Sequence, residues 1–125
     1  MTYAKSEKGK RAYLKGLIAE TLAKVWLVAK GYRILAKRYQ AGVGEIDLIA
    51  HKKGTLVAVE VKARGCLTQA LESLTHHQKE RIARAISLYA ARHPRHHQDD
   101  IRLDFFLLMP WRVCHIKGAW DTSMQ

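Results

Sequence analysis

The side chains that could do chemistry in this sequence lie in two apolar runs separated by a short turn. Asp47 stands with Glu45 in the run GEIDLIA, and Glu60 and Lys62 stand two residues apart in the run LVAVEVK. Charged groups are costly to bury unless a metal ion or a partner compensates them, so these residues indicate a built site. Because side chains alternate between the faces of a strand, Glu45 projects with Asp47 and Glu60 projects with Lys62. We therefore expect a carboxylate cluster beside an ammonium group at one edge of a hairpin.

The chemistry that such a cluster supports is the binding of a hard divalent cation. Mg²⁺ takes oxygen ligands and usually only one or two carboxylates, with water and substrate phosphate completing its shell, and Asp47 and Glu60 meet that demand. Bound Mg²⁺ or Mn²⁺ can lower the pKa of a coordinated water and offset charge on a scissile phosphate. Lys62, on the same face as Glu60, could orient that water or neutralise the phosphate. The pattern predicts metal-dependent hydrolysis of a phosphodiester.

Composition and charge indicate the class of substrate. The chain has 125 residues, 48% of them hydrophobic, which is enough for one domain with a single core. It carries 22 lysines and arginines against 11 acids, and the resulting net charge of +11 favours nucleic acid over small acidic metabolites as a partner. A merely soluble basic surface would give the same charge. Four acids are nevertheless candidates for one small region of this basic chain: Glu20, Glu45, Asp47 and Glu60.

Hydrophobic periodicity predicts two helices. The first runs from Lys10 to Lys30 and ends at Gly31, and the second opens at Thr75, a suitable N-cap, and stops before Pro94. The expected buried stripe of the first helix is Leu14, Leu17, Ile18, Thr21, Leu22, Val25, Trp26 and Ala29. The expected strands are residues 32–38, a hairpin over residues 45–62 with its turn at 52–54, residues 101–109 and residues 111–117.

This order of elements predicts the architecture of the whole chain. Helices alternating with short groups of strands, without an internal repeat or linker, are typical of a single α/β domain with a mixed central sheet flanked by helices. Residues 1–10 are expected to form a flexible basic leader, residues 11–120 the domain, and residues 121–125 a tail.

Cysteine usage and the absence of apolar segments indicate a cytoplasmic protein. Cys66 and Cys114 are isolated, without a CxxC pair or a disulfide framework. The basic N-terminal residues lead into an amphipathic segment that does not resemble a secretory signal. No run approaches the roughly 18 to 20 apolar residues that cross a bilayer, so we expect no membrane partner.

Several motifs together resemble a known group of nucleases. Glu20 on the first helix, the run GEIDLIA and the run VEVKAR are similar to the restriction-endonuclease-like PD-(D/E)xK nucleases, and most closely to the small bacterial YraN-type proteins. The dipeptide LT at the second helix, the run RLD and the late run HIKGAW extend the resemblance over residues 16 to 120. The combination of motifs is more specific than any one of them.

The resemblance implies a fold, a site and a substrate. It implies a restriction-endonuclease-like core in which Asp47 and Glu60 bind Mg²⁺ or Mn²⁺ and Lys62 serves the attacking water. Glu20 would act as the helix-borne acid of Holliday-junction-resolvase relatives, as a further ligand or as a base organiser. The implied substrate is DNA, branched or damaged, and the dimeric action of junction-cutting relatives leaves a homodimer open.

Other polar residues receive weaker assignments. Glu45 either supports the metal ligands without binding the ion itself, or fixes the turn through backbone hydrogen bonds. The exterior of the second helix and the end of the hairpin could track a phosphate backbone through Lys79, Arg81, Arg84 and Arg64. Gln78 is not assigned a catalytic role, and Asp104 is expected to pair with an Arg or Lys. The histidines are expected at the surface or facing phosphate, because no Cys or acid stands at ligand spacing. The three tryptophans, Trp26, Trp111 and Trp120, are expected in the core.

Two other functions remain open from the sequence. A nuclease-like fold can serve as a scaffold for a nucleic-acid-binding module that does not cleave. A basic structural protein of the ribosome or nucleoid would also carry this charge, but its carboxylates would lie apart in space.

Overall fold

A computed structural model describes residues 3–121 as three α-helices, one short 3₁₀ turn and five strands. The elements follow one another as α1 (Tyr3–Ala29), β1 (Arg33–Gln40), β2 (Glu45–Lys52), β3 (Thr55–Ala63), α2 (Leu67–Glu72), α3 (His76–Arg92), the 3₁₀ turn (Pro94–His96), β4 (Asp100–Met109) and β5 (Arg112–Trp120). None of the helices in this part of the chain is long and apolar enough to cross a membrane.

The five strands form one mixed sheet in the order β1-β2-β3-β4-β5. Neighbouring strands are antiparallel, except that β3 and β4 are parallel and are connected through α2 and α3. Helix α1 packs on one face of this sheet and α3 on the other. This is the predicted single α/β domain with a mixed central sheet, and it is consistent with a restriction-endonuclease-like fold.

Each face of the sheet has its own apolar core. On the α1 face, Val57, Val59 and Phe106 are buried against the helix, and on the α3 face Leu56 and Ile86 belong to the larger core. The valines of β3 alternate with Ala58 and Glu60, so the strand presents apolar residues to α1 and the expected site residues to the α3 side. The sheet therefore separates the packing of α1 from the candidate chemistry.

The first helix differs from its prediction at its start and in its buried face. It begins at Tyr3, seven residues before its predicted start at Lys10. Over residues 9–29, whose burial the structure describes, the buried side chains are Ala19, Ala23 and Leu27, each 1% exposed or less. Small side chains spaced by four let the helix approach the sheet closely. Most of the expected stripe faces outward, and the exposed large apolar residues of this helix are Tyr13, Leu14, Ile18, Leu22, Val25 and Val28.

The second predicted helix is α3, and its capping confirms the predicted start. The side chain of Thr75 accepts a hydrogen bond from the backbone N–H of Gln78, whose side chain accepts one from the backbone N–H of Thr75, so the two residues form a capping box. Helix α2 was not predicted, since its six residues are too few to show a period. The predicted tail lies outside the described residues from position 122 onward.

Candidate active site

Asp47 lies where β2 separates from β3. The ladder between these strands pairs Leu48 with Val59 and does not continue to Asp47. Instead, the Asp47 carboxylate oxygen Oδ2 accepts a hydrogen bond of 2.8 Å from the backbone N–H of Val61. A hydrogen bond to a side chain thus takes the place of a backbone hydrogen bond between the two strands. This bond holds the Asp47 carboxylate beside Glu60, the residue that precedes Val61.

Glu60 meets both Asp47 and Lys62 in a largely buried position. It is 8% exposed, and the Lys62 ammonium nitrogen lies 3.5 Å from its Oε2 atom. Burial raises the pKa of Glu60 from 4.5 to about 8, assisted by the charge of Asp47 and a hydrogen bond with it, while Lys62 acts in the opposite direction. Two carboxylates and an ammonium group therefore share one site, and at neutral pH Glu60 retains a proton.

A cavity of about 310 Å³ opens over these carboxylates on the α3 face of the sheet. Arg81 and Gln78 on α3 contribute to its wall, and the Arg81 side chain donates a hydrogen bond of 3.0 Å from Nε to the Val43 carbonyl oxygen. Glycine is required at position 44, because a Cβ there would lie 2.8 Å from the Arg81 carbonyl oxygen. The residues lining the cavity are Glu45, Asp47, Glu60, Gln78, Arg81 and Ile82.

The β1–β2 turn packs closely against α3. This packing brings to the site residues of α3 that the sequence analysis did not predict there. Gln78 and Ile82 line the cavity, although Gln78 also has a structural task in the capping box. Glu45 is an exposed member of the same wall. In the sequence, Gly44 was the one indication that this turn packs closely against another segment. A single glycine does not show which segment that is.

Glu20, the predicted helix-borne acid, lies apart from this cavity. Its carboxylate pairs with Arg38 of β1 at 3.2 Å. It lines a neighbouring cavity of about 370 Å³ on the α1 face, together with Leu48, the residue that follows Asp47. The structure thus brings Asp47 and Glu60 together at one cavity, places Lys62 beside Glu60, and leaves Glu20 outside that cavity.

The predicted nucleic-acid-binding residues occupy different positions around the site. Arg81 is at the cavity wall, and Arg84 lies one turn further along α3 with its guanidinium 3.3 Å from Glu80. Arg64 is exposed just beyond the end of β3, where its side chain donates to the Ala63 carbonyl. Lys79 is half-buried, and its carbonyl accepts the indole N–H of Trp120. Arg81 is thus the member of this set that borders the carboxylates.

Trp111 is fully exposed, contrary to the prediction that all three tryptophans lie in the core. It occupies the turn between β4 and β5 with a φ of 67°, a left-handed conformation that turns the chain sharply and points its indole to solvent. Trp26 is half-buried and Trp120 is 7% exposed, as expected for core residues. The turn that carries Trp111 is at the end of the sheet where β3 finishes, since Ala63 pairs with Leu108.

Asp104 is buried in a separate network on the α1 face, as its prediction as a structural residue anticipated. The Arg102 guanidinium binds both of its oxygens, at 2.8 and 2.9 Å. His115 Nε2 lies 2.7 Å from Oδ2, and the Trp26 indole donates to the other His115 nitrogen. Because an indole N–H can only donate, His115 must carry its proton on Nε2 and donate to Asp104.

The cavity residues fit a divalent cation. Two carboxylates held side by side in a buried position repel one another, and the pKa of Glu60 rises to about 8 as a result of burial and of Asp47. A doubly charged ion placed between such groups would offset this cost and favour both in the ionised form. The donor atoms are carboxylate oxygens, the ligands that Mg²⁺ and Mn²⁺ prefer.

Comparison with known proteins identifies relatives over most of the chain. A family described as "Uncharacterised protein family UPF0102" matches residues 19–108. A UPF0102 protein of Paramagnetospirillum magneticum is 48% identical over 87% of this chain and 88% of its own length. UPF0102 proteins of Caulobacter sp. strain K31 and Nitrobacter winogradskyi are 44% and 42% identical, over 95% and 90% of this chain and 86% and 96% of theirs.

Proposed function

Because the chain belongs to the UPF0102 (YraN) family, whose description assigns no reaction, we propose a function from the site itself: metal-dependent endonucleolytic hydrolysis of phosphodiester bonds in DNA. The observation that supports this most is the meeting of Asp47 and Glu60 at one cavity, with the Lys62 ammonium nitrogen 3.5 Å from Glu60. Branched and damaged duplexes are the DNA substrates to test first, given the resemblance to junction-resolving nucleases.

Asp47 and Glu60 would hold the metal ion. When bound, Mg²⁺ or Mn²⁺ supplies a Lewis acid that offsets phosphate charge and acidifies a coordinated water. The Asp47 carboxylate is preorganised for this role by the Val61 N–H, so it need not be reoriented when a cation arrives. Glu60 must lose the proton that its raised pKa retains. The backbone of β3 thus holds Asp47 in place, and the same strand carries Glu60.

Lys62 would act on the phosphate or the attacking water. Its ammonium group is held within 3.5 Å of Glu60, with 20% of its side chain exposed, so it is close to the carboxylates without being enclosed by them. A positive charge fixed there stabilises negative charge that develops on the phosphoryl oxygens during attack. Arg81 borders the same cavity and would contribute a second cation toward the DNA backbone.

The test is cleavage of labelled duplex, branched and single-stranded DNA by the purified full chain with Mg²⁺, Mn²⁺ or EDTA. We expect metal-dependent cleavage of at least one substrate. Asp47→Asn and Glu60→Gln should each lower its rate by on the order of a thousandfold, and Lys62→Met by on the order of a hundredfold. Glu20→Gln belongs in the same series, because its position outside the cavity predicts a smaller loss.

A matched control is Glu72→Gln, which removes an exposed acid at the end of α2 and should leave the rate unchanged. A folded wild-type protein without metal-dependent cleavage of any of these substrates would contradict the nuclease proposal. If that protein still binds DNA in a salt-sensitive way, and Asp47→Ala binds equally well, the chain is a non-catalytic nucleic-acid-binding module. The net charge of +11 and the basic exterior of α3 support binding in either case.

A further inference from the structure

A second cluster of ligand-type side chains lies where the connection from α3 enters β4. His51 at the end of β2, His96 in the 3₁₀ turn and Asp99 just before β4 each offer one ligand atom, and these atoms lie within 4.8 Å of one another. His51 Nε2 and His96 Nδ1 approach the same Asp99 oxygen, Oδ2, at 3.0 and 2.7 Å. Asp99 stands three residues after His96, so an acid is in fact present at ligand spacing.

From this geometry we infer that His51, His96 and Asp99 form a Zn²⁺ site. Two imidazoles and one carboxylate are a three-ligand set that Zn²⁺ takes with a water in the fourth position. Tetrahedral coordination at bonds of about 2.0 to 2.2 Å separates neighbouring ligand atoms by roughly 3.3 Å. Each imidazole nitrogen, now 3.0 or 2.7 Å from Asp99 Oδ2, would therefore move outward from that oxygen by only a few tenths of an ångström. Zn²⁺ would replace the protons now shared between the imidazoles and the carboxylate.

The cluster is largely buried and packed against aromatic rings, which favours a metal site over a chance contact between surface histidines. His96 is 5% exposed, and the side chains of Asp99 and His51 are 13% and 25% exposed. The His51 and His96 rings lie 5.2 Å apart, and Tyr89 and His93 at the end of α3 close one side, with their rings stacked at 4.0 Å. Rigid, poorly hydrated imidazoles lose little freedom when a metal binds.

Ligand chemistry separates this cluster from the carboxylate cavity. Mg²⁺ prefers an all-oxygen shell, whereas nitrogen ligands favour Zn²⁺ and other late transition metals. His51 stands four residues beyond Asp47 on the same strand, which places the two clusters about 13 Å apart along β2. Bound Zn²⁺ would tie β2 to the turn between α3 and β4 and so steady the crossover connection, with one coordination position left to water.

The experiment is titration of the metal-free full chain with ZnCl₂ by calorimetry, and with Co²⁺ followed by visible absorption, which reports coordination geometry. We expect one Zn²⁺ per chain and a higher unfolding temperature with Zn²⁺. Asp99→Asn and His51→Gln, both near the rim, should weaken binding by more than about tenfold, as should His96→Gln if it folds. Mg²⁺ at the same concentration should neither bind at this site nor change the Co²⁺ spectrum.

The matched control is the double variant His76→Gln/His77→Gln, which removes two exposed histidines at the start of α3, one of them 2.7 Å from Glu80. This variant should bind Zn²⁺ as the wild type does. The inference is overturned if the wild type binds no Zn²⁺. It is equally overturned if Asp99→Asn and His51→Gln bind Zn²⁺ as tightly as the wild type, or if binding is lost only in the His76/His77 variant.

Discussion

The protonation of Glu60 links the candidate site to the stability of the fold. Its pKa in the folded chain is about 8, raised from 4.5 mainly by burial and then by Asp47. The folded protein therefore holds a proton that the unfolded chain releases between these pH values, and the free energy of unfolding falls as pH rises across that window. A cation that binds both carboxylates would displace this proton, so its affinity should rise with pH over the same range.

Glu60→Gln should remove this pH dependence. Without divalent cations, we expect the variant to exceed the wild type in unfolding free energy by roughly 4 kcal/mol at pH 9 and to match it near pH 5. Urea unfolding at both pH values measures the difference. Glu72→Gln, an exposed acid, should follow the wild type at each pH. An equal pH dependence in the wild type and Glu60→Gln would show that burial does not raise this pKa.

The proposed DNA binding makes the fully exposed indole of Trp111 a candidate for base stacking. Base stacking on an exposed aromatic ring is worth about 1 to 3 kcal/mol per base, so Trp111→Ala should weaken single-stranded DNA binding by about tenfold or more while leaving stability unchanged. Fluorescence anisotropy with labelled oligonucleotides measures the affinity. Trp111→Phe keeps a ring and should retain most of it. Equal affinity in Trp111→Ala and the wild type would make this indole irrelevant to binding.

At the scale of elements, the sequence predicted which segments are helices and strands better than which faces they bury. The hairpin of β2 and β3 was evident from two apolar runs around a turn, and Thr75 marked the start of α3. Helix α1 carries two periodic sets of apolar residues, and periodicity alone cannot choose between them. The sheet packs against the set with the smaller side chains, Ala19 and Ala23, because it allows a closer approach.

The two faces of α1 should respond differently to truncation. Leu27→Ala empties a fully buried position on the α1 face and should cost about 2 to 5 kcal/mol of unfolding free energy. Ile18→Ala lies on the outer face, where 54% of the residue is exposed, and should change stability by less than about 0.5 kcal/mol. Chemical denaturation of both variants tests this. A larger loss in Ile18→Ala than in Leu27→Ala would mean that the helix packs in the other orientation.

The carboxylate site was predictable from sequence to the extent that it lies within one hairpin. Alternation along β2 and β3 was enough to place Asp47, Glu60 and Lys62 near one another. Contacts between elements distant in sequence were not predictable in this way. Two examples are the position of Arg81 at the cavity wall and the contact of His51 with Asp99. Both depend on where α3 and the turn after it pack against the sheet.

At the scale of the whole molecule, Asp104 joins segments from both ends of the described chain. Arg102 and His115 bind its carboxylate, Arg102 also binds the Tyr32 hydroxyl, and Trp26 of α1 donates to His115. Burial raises the pKa of Asp104, but the hydrogen bonds from His115 and Arg102 outweigh it and leave the pKa below its usual value. The stability that the folded chain gains from ionised Asp104 is fully present at pH values above the pKa of this group in the unfolded chain. It is lost as the pH falls through the lower pKa that Asp104 has in the folded chain.

Asp104→Asn should therefore be among the most damaging single substitutions. It leaves the charge of Arg102 without its partner, which we expect to cost about 3 to 5 kcal/mol at pH 7. The control is Asp100→Asn, an exposed position at the start of the same strand, with an expected change below about 0.5 kcal/mol. Guanidinium unfolding compares them. A loss for Asp104→Asn no larger than that of the control would contradict a structural role for the network.

The bond from Trp26 to His115 spans 89 residues of sequence. Its acceptor, His115, belongs to β5, so the bond can form only when β5 has taken its place beside β4. Contacts of such high sequence separation form late and slow a folding reaction. Until the sheet covers it, α1 exposes apolar residues on both sides, because Ile18 and Val25 lie outward even in the folded chain.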